Sequence, residues 1–223
     1  MGMSMASVVV SVSYAMSHRK GTEAAMPMNA QKHAEWLEQA VHWYVRRGFP
    51  TIVAATGYPG ILDVETSSES RERDALWRIL RQGVPILGTV HNPGHQVGAA
   101  LCVRLGLEYA HCCGYDYLIH TAEDILPVPG KITEMLLALE DGYEYAGEAW
   151  GEAQDELNAQ FFACQAAALV GAWDACRVTG HGHIECYLRD LLAGKPQALL
   201  TGTYQHTHDY EQWREWLIQQ GDA

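Results

Sequence analysis

The chain has 223 residues, 48% of them apolar, and carries 27 acidic against 15 basic side chains for a net charge of -12. That length suits one α/β domain with a substantial core, whereas the charge repels phosphate backbones and anionic lipid heads and argues against nucleic acid and membrane surfaces as partners. No stretch approaches the roughly 18 consecutive apolar residues of a membrane span.

The opening MGMSMASVVVSVSYAMS has an apolar centre, but its basic residues His18, Arg19 and Lys20 follow that centre instead of preceding it. It therefore reads as a first buried strand, Ser7–Tyr14, and not as a secretory leader. A polar loop follows to Met28. From Asn29, the residues Ala30, Ala34, Leu37, Val41 and Tyr44 recur at helical spacing until Gly48 and Pro50 end the helix. TIVAAT, Thr51–Thr56, is the next strand, and the Gly-, Pro- and Ser-rich stretch after it is a loop. A helix over about 70–82 turns Leu76, Ile79 and Leu80 inward and stops at Gly83. The strand Val84–Val90, a turn reading HNPGH, a small-residue helix from Gln96 to about Cys112 and the strand Tyr115–Thr121 complete an alternation of strands and helices. Such alternation predicts parallel strands joined by crossover helices.

The second half is less regular. A helix (131–142), two strands (143–150 and 159–165), a helix (183–194), a late strand (197–204) and a terminal helix (209–220), whose Asp209 and Gln212 resemble a capping box, follow in order. No repeat or low-complexity linker interrupts them, and one domain is the simplest account. Six cysteines, Cys102, Cys112, Cys113, Cys164, Cys176 and Cys186, show no CxxC spacing and lie mostly in apolar segments, which reads as reduced core thiols of a cytoplasmic protein.

Open parallel sheets bind ligands beyond the carboxyl ends of their strands. Here those ends are Tyr14 to His18, Thr56 to Asp63, His91 to His95, Thr121 to Asp124, Trp150 to Glu156 and His206 to Asp209, which are expected to converge on one cleft. Within them, from Asn92 to Pro127, an Asn-x-Gly turn, a small-residue helix, a strand reading GYDYL, an acidic end and a proline occur in order. That order resembles the nucleotide-sugar half of GT-A glycosyltransferases, and the general layout matches from Val8 to Leu139.

The resemblance implies a single Rossmann-like (GT-A type) domain, α/β, with a mostly parallel central sheet flanked by helices. Residues 1–139 would be the nucleotide-sugar half, and residues 140–223 the acceptor half with the C-terminal helix. It implies a hexosyltransferase-like enzyme that moves a sugar from a nucleotide-diphosphate donor to a small-molecule, glycan or protein acceptor, assisted by Mn or Mg. A cation clamped by carboxylates would offset the charge that grows on the diphosphate as the glycosidic bond breaks, and oxygen ligands suit these metals. Asp124 with Glu123 would be the metal ligands, with His206 or His208 as a late histidine ligand. Thr121 and Glu123, Asn92 and Gly94, and Tyr14 and Ala15 at the nucleobase would contact the donor. For an inverting reaction Glu185 near a helix start would be the general base, with Asp155 or Glu156 next in line. The family's Asp-x-Asp motif loses its leading acid here, because Thr121 or Ala122 stands in that place.

Each of these residues also has a plain structural reading. Glu123 and Asp124 could be a solvated turn, Asn92 a helix cap, Tyr14 and Ala15 strand-end packing, Glu185 an exposed helix residue, Trp150 a core aromatic, and His181, His183, His206 and His208 surface groups. Three other functions fit parts of the chain. A nucleotidyltransferase of the same fold would want a Gly-rich basic loop, where Arg19, Lys20 and Gly21 stand without a glycine repeat. HGHIE with HTHD could hold Zn in a hydrolase, and the altered acidic motif could mark a non-catalytic nucleotide- or carbohydrate-binding protein.

Overall fold

A computed structural model describes residues 7–15, 30–57, 67–89, 95–151, 156–206 and 210–219. Asn92, Gly94, Asp155 and His208 lie outside them, as do the side chains of Ala15 and His206.

The first half follows the expected alternation: β1 (Val8–Ala15), α1 (Ala30–Arg46), β2 (Thr51–Thr56), α2 (Ser67–Arg81), β3 (Ile86–Thr89), α3 (His95–Cys112) and β4 (Tyr117–Ala122). The second half holds β5 (Ile125–Pro127), α4 (Pro129–Glu140), β6 (Tyr145–Trp150), β7 (Glu156–Gln165), α5 (Ala166–Val170), a 3₁₀ turn (Ala175–His181), α6 (Ile184–Leu191), β8 (Gln197–Leu200), β9 (Tyr204–His206) and α7 (Tyr210–Gln219). Seven strands form one sheet in the order β3-β2-β1-β4-β7-β6-β8, and β5 pairs with β9 in a small second sheet. Only β7 runs against the others, so β1, β2, β3, β4, β6 and β8 present their carboxyl ends at one edge. The architecture is the expected Rossmann-like one.

Alternation along β1 supplies both cores. Val10, Val12 and Tyr14 face the layer with α1, α2, α4 and α7, where Trp36, Leu37, Val41, Tyr44, Leu76 and Ile79 are buried. Val9 faces the other layer, against Val103 and Leu107 of α3 and Ile184 and Leu188 of α6. α3 carries small residues because it packs close to β1: a Cβ at Gly106 would lie 2.8 Å from Ser11 Oγ. Gly48 adopts a φ of 79° just beyond α1, the left-handed helix stop its position implied.

The expected late strand 197–204 is two strands, β8 and β9, split by an exposed turn at Thr201 and Gly202 that sends them to different sheets. The cysteines are a correction. Cys102 and Cys164 are buried, but Cys112 and Cys113 emerge where α3 ends and are exposed, as is Cys176, and Cys186 is half-buried. Among the described residues, no helix is long and apolar enough to cross a membrane.

Candidate functional site

The chain order switches between β1 and β4: β2 and β3 extend the sheet to one side, and β4 returns to lie on the other side of β1. Such a switch point opens a crevice at the carboxyl edge. On the β1 side, Tyr14 sends its ring into the core at 1% exposure, and its carbonyl accepts a contact from Cys102 Sγ at 4.0 Å, so only main chain is left to face a ligand there. Burial pushes the Cys102 thiol up to about 12.

On the β4 side, Glu123 and Asp124 form the two-residue turn into β5, and both are half-buried. Ile125 pairs with His206 across the β5–β9 ladder, which brings the main chain of His206 beside the residue that follows Asp124. Two adjacent carboxylates with oxygen donors fit Mg or Mn, which commonly take one or two carboxylates plus substrate phosphates. Thr121 sits deeper. It is buried at 1% exposure, donates its hydroxyl to Ala122 O at 3.1 Å, and lies against the Tyr44 phenol, which burial pushes up. An acid there would be a buried charge costing several kcal/mol, on the order set by desolvation, so this position does not readily take an acid.

Glu185 stands in the first turn of α6, where the helix dipole favours an acid. It is buried at 8% exposure and is not the exposed helix residue of the plain reading. Its Oε2 lies 3.0 Å from His183 Nδ1. Across that imidazole, His183 Nε2 lies 3.4 Å from Glu156 Oε1 and 3.5 Å from Cys186 Sγ, and the Cys186 thiol donates to Glu156 Oε1 at 3.3 Å. The cluster sits at the carboxyl edge because β7 is reversed: its first residue, Glu156, pairs with the last residue of β6, Trp150. The start of α6 is pinned there by Gln96 in the first turn of α3, whose Oε1 accepts from Ile184 N at 2.9 Å. Trp150, 40% exposed, is a surface ring at this edge and not a core aromatic.

Between the acidic turn and α6 lies Tyr204. Burial pushes its phenol up, the hydrogen bond from Asn158 Nδ2 at 2.7 Å works the other way, and the carboxylates of Glu148, Asp124 and Glu185 add to the rise. Asp124 and Glu185, on different halves of the chain, thus act on one hydroxyl. Glu148 was not anticipated from sequence. The β6–β7 register shifts between Gly147 and Ala149, and this bulge frees Glu148 to accept from the backbone N–H and the hydroxyl of Thr203. His183 and Cys186 carry a signal that was legible, His-x-x-Cys at a helix start, which sets both on one face. Glu156 was singled out only as an alternative base, and its place in this cluster depends on the reversed strand.

No family model and no curated protein matches the sequence. Solved structures match its fold. A provisionally assigned nucleotide-diphospho-sugar transferase from Desulfovibrio desulfuricans superposes with a TM-score of 0.58 at 13% identity, covering 88% of this chain and 80% of that one. A cytidylyltransferase from Leptospira borgpetersenii serovar Hardjo-bovis gives 0.56 at 13% identity, over 96% and 87% of the two chains. A 4-diphosphocytidyl-2C-methyl-D-erythritol synthase gives 0.54 at 13% identity, over 96% and 99%. The likeness establishes the fold that nucleotide-diphospho-sugar transferases and cytidylyltransferases share.

Proposed function

We propose that the chain is an enzyme that binds a nucleotide-diphosphate sugar at the carboxyl edge of its sheet and transfers the sugar to an acceptor, with residues 1–139 forming the donor half and residues 140–223 the acceptor half. The observation that carries this reading is the position of Glu123 and Asp124, at the carboxyl end of the strand that borders the switch point. The fold shared with a provisionally assigned nucleotide-diphospho-sugar transferase supports it.

In this reading the main chain at Tyr14 and Ala15 contacts the nucleobase, and Asn92 and Gly94, which precede α3 in the sequence, contact the diphosphate. Glu123 and Asp124 hold the Mg or Mn, with His206 or His208 as a further ligand, and Thr121 shapes the floor beneath them. When bound, the cation offsets the charge on the diphosphate leaving group. Glu185 takes the proton from the acceptor hydroxyl. Its Oε2 is engaged by His183, which leaves Oε1 for that hydroxyl. Asp155, the residue before Glu156 in the sequence, is the next candidate for that proton, and Trp150 offers an exposed face to a sugar.

A second reading, nucleotidyl transfer from a nucleoside triphosphate to a sugar phosphate, is supported by the near-full-length match to two cytidylyl enzymes. Product analysis separates the two. Glycosyl transfer releases nucleoside diphosphate from a nucleotide sugar, whereas nucleotidyl transfer releases pyrophosphate from a triphosphate. Release of diphosphate only when a nucleotide sugar and an acceptor are both present supports the first reading, and pyrophosphate release with a sugar phosphate replaces it with the second.

A further inference from the structure

We propose that Glu156, His183 and Cys186 form a binding site for a zinc-class transition-metal ion, distinct from the oxygen-ligand site at Glu123 and Asp124, with a fourth coordination position open to water or to a ligand oxygen.

The geometry carries this. Nε2 of His183, Sγ of Cys186 and Oε1 of Glu156 are separated by 3.5, 3.3 and 3.4 Å around the triangle. Donors at zinc bond lengths of about 2.0–2.3 Å on the corners of a tetrahedron stand about 3.4–3.6 Å apart. The triangle therefore already has the dimensions of one tetrahedral face, and an ion seats on it with little rearrangement. Among the described residues, this is the group of three metal-ligating side chains whose donor atoms come together within 4.8 Å.

The chemistry of the set selects the metal. A thiolate and an imidazole favour zinc and its transition-metal neighbours, whereas Mg and Mn prefer all-oxygen sites. Three protein ligands with one open position is the pattern of reactive zinc sites, while purely structural sites are closed by four.

The surroundings are those of a metal-bound histidine. Glu185 engages Nδ1 of His183, which fixes the tautomer and turns the lone pair of Nε2 toward Glu156 and Cys186. The backbone at the site is held from outside by Gln96 on Ile184 N. The side chain of His183 is 38% exposed and that of Glu156 19%, so an ion has a path in from solvent. Protons balance simply. The thiol of Cys186 now donates to Glu156, and on binding the S–H bond is replaced by a metal–sulfur bond while the proton leaves to solvent.

The test is a titration of the full chain, stripped with a chelator, with Co²⁺ followed by Zn²⁺. One equivalent of Co²⁺ is expected to give the intense visible bands of a four-coordinate site together with a thiolate-to-cobalt charge-transfer band, both erased by Zn²⁺. Cys186→Ser and His183→Gln should each abolish the charge-transfer band, with folding checked by circular dichroism. Cys176→Ser, on an exposed cysteine elsewhere, should keep it. Glu185→Gln should keep the band but weaken Co²⁺ binding by about 10–100-fold, the usual effect of losing a carboxylate partner of a metal-bound histidine. Absence of the band in the wild type, or its survival in folded Cys186→Ser, overturns the site. No nucleotide is involved, so the transferase reading and this one fail separately.

Discussion

Glu185 Oε2 lies 3.0 Å from His183 Nδ1, so the carboxylate proposed as general base also orients the imidazole at the edge of the site. Glu185→Gln keeps an oxygen for that hydrogen bond and removes the capacity to take a proton. Turnover is expected to fall by about 10²-fold or more while nucleotide affinity holds, the scale of losing a general base. Steady-state kinetics alongside equilibrium binding checks this, and unchanged turnover would remove Glu185 from the role of base.

Asp124 stands in a half-buried turn and is not part of the close-packed core, so Asp124→Asn should fold normally. Nucleoside diphosphate binding that depends on Mn is expected to be lost, as measured calorimetrically with and without the ion. Retained Mn-dependent binding would remove Asp124 from the ligand set.

The framework of the site was legible before its chemistry. Buried strands such as Thr51–Thr56 and helices such as the one bearing Leu37, Val41 and Tyr44 announce themselves by period and by their Gly stops, because each buries a continuous face. The carboxyl-edge positions follow from strand order, and Glu123 and Asp124 could be named for that reason, whereas Glu185 was reached only through the family resemblance and its place near a helix start. Glu156 and Glu148 were harder, since one depends on a strand running backwards and the other on a bulge. Thr121 illustrates a different limit. Its motif position is at a strand end, but its side chain is buried, because β4 is covered on both faces and its consecutive residues Leu118 to Thr121 are all buried.

Packing of α3 on β1 is tested at Gly106. A Cβ there would meet Ser11 Oγ at 2.8 Å and Ser11 Cβ at 2.9 Å. Gly106→Val gains a few tenths of a kcal/mol in helix propensity but overpacks the interface, and is expected to lose about 2 kcal/mol, or roughly 4–8 °C in Tm. Adding Ser11→Gly should recover part of the loss because the two side chains share one space. Strictly additive losses in thermal unfolding would contradict the close contact.

His120 gives stability a pH dependence. Burial lowers its pKa from 6.5 to about 3, and its Nδ1 has no hydrogen-bond partner. As pH falls below 6.5 the unfolded chain takes up a proton that the folded chain refuses until about 3, so folding weakens across that window, by up to about 1.4 kcal/mol per pH unit. His120→Leu should flatten the slope of urea-unfolding stability between about pH 6 and pH 4. Equal slopes in the two proteins would mean that His120 is protonated when folded.

The central claim is that this fold binds a nucleotide through a divalent cation at Glu123 and Asp124. Thermal unfolding with UDP, GDP, ADP or CDP, each with and without Mn, tests it most directly. A ligand at about 100 times its Kd stabilises by roughly 2.7 kcal/mol, which for a domain of this size raises Tm by roughly 5–10 °C. A rise of that size with one nucleotide, present only when Mn is present, is the expected result. No rise with any nucleotide, with or without the ion, would contradict it.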